Sequence, residues 1–117
     1  MFNDQPPARP QPRTRRSAGE RLREALLELA EGQAQVRAHR ETSWASITFA
    51  GARHRVELAF SGADAVAAGE AFIAALPDHE FAIPGQLVAD ATVTAADQRL
   101  DPPSLAVTCE VLLLEDS

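Results

Sequence analysis

The side chains best suited to chemistry in this chain are one cysteine, three histidines and a short run of mixed charge. Cys109 is the only thiol, so neither an intrachain disulfide nor a cysteine metal cluster can form. It alternates in phase with Val107 and Val111, and no neighbouring cation would lower its pKa. The expectation is a small buried hydrophobe rather than a nucleophile. His54 has the phase of Val56, Leu58 and Phe60 and stands where a core face meets solvent. A general base needs a partner within hydrogen-bond reach, and the spacing supplies none. With Phe49 facing it in the register derived below, His54 marks a candidate pocket between helix and sheet. Asp78, His79 and Glu80 are consecutive. Adjacent residues rarely converge on one ion, and no pair of histidines has the H-x₃-H spacing of a zinc site. There is no glycine-rich phosphate loop and no nucleophile elbow. The residues therefore predict no cofactor and no metal, and favour a binding protein over an enzyme.

The stretch "SWASITFAGARHRVELAF", residues 43–60, reads as a β-hairpin. Gly51-Ala52 suits a two-residue type II′ turn, which takes glycine first. Phe49 then faces His54, Ile47 faces Val56 and Ala45 faces Leu58 on an apolar side. Trp44, Ser46, Thr48, Arg55 and Glu57 fall on the other side. A slip of one residue would exchange the faces. Arg37 and His39, from a weaker alternating run at 33–40, are assigned to that second side, with "RETS" as a turn between the two segments. The candidate interaction face is thus Arg37, Trp44, Thr48, Arg55 and Glu57. Tryptophan and arginine are favoured interface anchors.

These positions need elements to hold them. Ser17 and Glu20 have capping-box spacing, and Gly32 offers a stop. The spacing predicts a helix over 17–31 with Leu22, Ala25, Leu26, Leu29 and Ala30 on one face. A second helix begins near Ser61 and Asp64, carries Ala65, Val66, Gly69, Phe72, Ile73 and Leu76 inward, and ends at Pro77. Gly69 on the buried side suggests close approach to a sheet. Two strands follow, with Leu87, Ala89, Ala91 and Val93 inward in one and Leu105, Val107, Cys109, Val111 and Leu113 inward in the other. "AADQRLDPPS" is the loop between them. The order α-β-β-β-α-β-β predicts an α+β two-layer sandwich, a mostly antiparallel sheet of about five strands with two helices on one face. Leu112, Leu114 and Val88 join the uncovered side.

Composition narrows the partners. The net charge is −6, but residues 1–16 carry +3, leaving −9 on the remainder. An acidic body repels phosphate and anionic lipid, so neither nucleic acid nor membrane is expected as the main partner. The chain has no lysine, and with its abundant alanine it resembles the composition of a GC-rich bacterial genome. Residues 1–16, rich in proline and arginine, read as a disordered tail and 17–117 as a single domain. No signal-like or membrane-length apolar run is found, which makes the cytoplasm the default. The sequence leads to a small interaction module that binds a protein partner or itself, through the open face or an edge strand. The alternative is a small-molecule binder or enzyme with its pocket near His54.

Overall fold

The computed structural model describes residues 17–116. The elements run α1 (Ala18–Leu29), β1 (Ala34–Ala45), β2 (Ala50–Ser61), α2 (Ala63–Ala75), a 3₁₀ turn (Leu76–Asp78), β3 (Gln86–Leu100) and β4 (Pro103–Glu115). The four strands form one antiparallel sheet in the order β1-β2-β4-β3. The α+β class stands, with two helices and a four-stranded antiparallel sheet. The count of five strands and the order α-β-β-β-α-β-β do not: the observed order is α-β-β-α-β-β. The fifth strand disappears because residues 34–45 are one continuous strand, with "RETS" inside it. As an edge strand, β1 needs only the backbone of β2 along its length, so polar residues do not interrupt it.

Ser17 caps α1 through the expected box: the Glu20 amide donates to Ser17 Oγ at 3.1 Å and the Ser17 amide to Glu20 Oε1 at 3.0 Å. The far end is closed by two amides, Gly32 to the Leu27 carbonyl and Glu31 to the Glu28 carbonyl, both at 2.9 Å. That is the Schellman arrangement, and its left-handed position is held by Glu31, at φ 59°. The cap of α2 is Gly62, at φ 96°, with no side-chain bond. Ser61 is not a cap, because it ends β2 opposite Ser104.

The core lies between the helices and the inner face of the central strands. Leu22 and Leu26 of α1, Phe72 of α2, Val56, Leu58 and Phe60 of β2, and Val107, Cys109, Val111 and Leu113 of β4 are fully enclosed. Gly69 is required by that packing: a Cβ there would lie 2.7 Å from Leu105 Cδ2 and 2.9 Å from Phe60 Cγ. Central β2 and β4 pair without a register shift. Both edges carry bulges, β1 at Arg37 and β3 at Ala89 and Thr94. Each bulge reverses the side-chain phase beyond it. Hence Val88, not Leu87, packs on the core, and Leu87 is 50% exposed on the outer face. β3 also continues through the expected loop to Leu100, leaving a tight turn at Asp101-Pro102.

Candidate functional site

The register places the two candidate regions on opposite faces of the sheet. The hairpin turn is not Gly51-Ala52 but residues 46–49, with Trp44 opposite Gly51 and Ala45 opposite Ala50. Ser46 closes it: its amide donates to the Phe49 carbonyl at 2.7 Å, and the Phe49 amide donates to Ser46 Oγ at 3.1 Å. The glycine serves β4 instead. A Cβ at Gly51 would run into the Leu113 carbonyl and come within 2.8 Å of Leu114 Cα. Because the turn sits earlier, Ile47 and Phe49 do not enter the core. Ile47 is fully exposed and Phe49 46% exposed. Phe49 therefore does not face His54, and Thr48 belongs to the turn rather than to a strand face.

The partner of His54 is His39. His54 is 1% exposed, the sole buried polar side chain among the described residues. Its Nδ1 lies 2.8 Å from His39 Nε2 across the β1–β2 ladder, so one ring donates and the other accepts. The Arg37 bulge turns His39 to the helix side. Alternation alone put it on the other side, and the bulge is what hid this pair. Gly19, in the first turn of α1, lies directly over both rings. A Cβ there would stand 3.2 Å from His39 Cε1 and 3.6 Å from His54 Cε1 and Glu41 Oε1. Burial holds both imidazoles below their ordinary pKa. For His39 the neighbouring His54 and the Arg23 guanidinium act in the same sense, while Glu41 opposes for both rings. A cleft of about 380 Å³ opens beside them, walled by Ser17, Gly19, Arg23, Arg37, His39 and Glu41. Arg37 is the bulged residue of β1 and lines this cleft at the edge of the sheet. The Nε of Arg23 is enclosed without a hydrogen-bond partner.

On the outer face, the ladders align four rows across the strands. Trp44, Gly51, Leu114 and Leu87 form the first. Thr42, Arg53, Leu112 and Asp90 form the second, and Arg40, Arg55, Glu110 and Thr92 the third. Ala38, Glu57, Thr108 and Ala95 form the fourth. Trp44, Arg55 and Glu57 thus share this face as expected from alternation. Within the four rows Arg40, Arg53 and Arg55 lie on β1 and β2 and Asp90 and Glu110 on β3 and β4, with Glu57 on β2 the exception. Arg55 Nε and Glu110 Oε2 are 4.0 Å apart where the halves meet. The face also has an apolar end. Leu112 and Leu114 are nearly enclosed although no described helix covers them, and Trp44 is half-buried.

Cys109 is fully buried, and burial with Glu110 alongside pushes its thiol up to about 12. His79 packs edge-on against Phe81. Among the described residues, no group of three or more His, Cys, Asp or Glu side chains converges to hold a metal ion. No described helix is long and apolar enough to cross a membrane. The chain matches no protein-family model, no curated protein and no solved structure.

Proposed function

We propose that this protein is a small non-enzymatic interaction module of the cytoplasm, and that its working surface is the outer face of the sheet. The carrying observation is the ordered character of that face. Helices cover one side, whereas the other leaves Trp44 and Leu87 accessible beside the enclosed Leu112 and Leu114 at one end, next to Arg53 and Arg55 on β2 and Glu110 and Asp90 on β4 and β3. Exposed ion pairs contribute only about 0–1 kcal/mol to stability, so folding does not account for this arrangement. Apolar anchors rimmed by charge are the anatomy of a protein interface. The test is native capture with the wild-type chain, Trp44→Ala, Arg55→Glu and, as a control on the opposite layer, Glu28→Lys. The two outer-face variants should lose what wild type and control retain. Equal capture by all four would refute the reading.

A second reading draws on the cleft beside His39. An enclosed Arg23 Nε without a partner, next to a neutral histidine pair, is a recognisable setting for a small anion. Histidine proton resonances followed during titration with acetate and inorganic phosphate test it. Saturable shifts of His39 that Arg23→Gln removes would support a ligand site, and unmoved resonances would dismiss it.

A further inference from the structure

We infer that the occupant of the outer face is a second copy of this chain, packed sheet to sheet about a two-fold axis parallel to the strands and lying between β2 and β4. This rests on the reading of the outer face as the working surface. A two-fold interface must be complementary to itself, and the four rows meet that condition best with the axis along the strands.

With the axis along the strands, each row meets itself reversed. Arg55 then lies over Glu110 of the second copy, and Arg53 and Asp90, from the same row, approach across the interface. β4 and β3 of each sheet, with Glu110 and Asp90, cover β2 and β1 of the other, with Arg55, Arg53 and Arg40, and Glu57 falls over Thr108 of the second copy. In the first row, Trp44 falls over Leu87 of the second copy, with Leu114 of both copies between them. The two 46–49 turns, with exposed Ile47 and Phe49, come to the same end of the pair. With the axis across the strands, the Trp44 and Leu87 end would instead meet Ser61, Ser104 and Arg99, the polar end of the sheet. That arrangement sets Arg55 over Glu57 of the second copy, but it buries apolar side chains against hydroxyls and opposes Asp90 to Asp97. Aligned sheets cross at about 30°, so the rows face one another with a modest skew rather than in strict register.

The size of the face is adequate. Four strands about 4.8 Å apart and about eleven residues long, at about 3.3 Å per residue, present roughly 700 Å² to a partner. Stable interfaces bury about 800 Å² per partner. Leucine and tryptophan at one end and matched charge in the middle leave no row of like charges opposed across the interface.

Sedimentation equilibrium of the full chain, with variants checked by circular dichroism, tests the inference. Wild type should be a dimer at micromolar concentration. Trp44→Ala should weaken it by about 30-fold, the equivalent of a 2 kcal/mol anchor. Arg53→Glu/Arg55→Glu should be monomeric, and so should Asp90→Arg/Glu110→Arg. Mixed one to one, the two charge-reversed chains should form a heterodimer, because each then meets its opposite on both halves. Wild type monomeric at all concentrations overturns the second copy and leaves the face open to another protein. A dimer that survives all three variants lies elsewhere and overturns both this inference and the working surface. Charge-reversed chains that stay monomeric on mixing overturn the charge-matched pairing of the two faces.

Discussion

The two faces of one sheet have different reasons for their side chains. On the inner face every large residue of β2 and β4 is enclosed, and even a glycine, Gly69, is fixed by contact with Phe60 and Leu105. On the outer face the same strands carry Arg53, Arg55, Glu57 and Glu110 in an order that packing does not demand. One face is constrained by volume and the other only by what approaches it. Inner-face substitutions should therefore act on stability and outer-face substitutions on association.

The largest effect should come from Phe72→Ala. Phe72 is fully buried, with its ring centroid 6.2 Å from that of Phe60. Truncating an enclosed phenylalanine costs about 3–5 kcal/mol, a large part of the stability of a domain this size. Urea denaturation at a dilution where any dimer is dissociated should show the midpoint collapse. A loss below about 1 kcal/mol would mean that the inner face is not the core.

The histidine pair gives the inner face a pH dependence. Both rings are held below 6.5 in the folded chain and return to it on unfolding. The unfolded state therefore binds more protons in this window. The stability is fully present above pH 6.5 and is lost as pH falls through the lowered folded values. Protonating both rings also places two cations on one 2.8 Å contact. Urea midpoints measured from pH 7.5 down to pH 5 should fall, and His39→Gln should fall less steeply. Equal slopes in the two proteins would remove the pair from the account.

How far the sequence reveals this depends on where a strand lies. Central β2 and β4 are legible by alternation: His54, Val56, Leu58 and Phe60, and Leu105 to Leu113, all point as expected. They are paired on both sides and admit no slip. The edge strands defeat alternation because an unpaired edge tolerates extra residues. One bulge at Arg37 moved His39 to the inner side, and one at Ala89 moved Val88 inward and Leu87 outward. The glycine rule failed at Gly51 for a related reason: glycine there answers a close approach of β4, which no local pattern encodes. Trp44, Arg55 and Glu57 were legible as a shared face, whereas the His39–His54 cleft was not. Thr48 and Phe49 were misplaced by the turn. The expected tail at 1–16 lies outside the described residues.

A smaller effect should appear away from both faces. Glu31 holds a left-handed backbone, which costs a non-glycine residue about 1 kcal/mol. It also lies one helical turn beyond Glu28, at the negative end of α1. Glu31→Gly should raise the urea midpoint by the equivalent of about 1 kcal/mol and leave association unchanged. A lowered midpoint would mean that the Glu31 side chain makes a stabilising contact.

The smallest effect on stability should be that of Arg55→Ala, and it is the sharpest test of the difference between the faces. Arg55 sits mid-strand on β2 between two inner residues, His54 and Val56, whose truncation would be costly. Its own side chain is 57% exposed, and its carboxylate neighbour Glu110 is 4.0 Å away, the outer limit of an ion pair. Exposed pairs of that kind contribute about 0–1 kcal/mol, and Arg40 opposite it on β1 repels it, offsetting part of that. The net change in the urea midpoint of the dilute monomer should therefore correspond to less than about 0.5 kcal/mol. Removing the charge should nevertheless weaken association, because in the dimer Arg55 loses water and gains a carboxylate from the second copy. Stability and association should thus separate at this residue. If both fall together, Arg55 is bracing the sheet, and the outer face is structural after all.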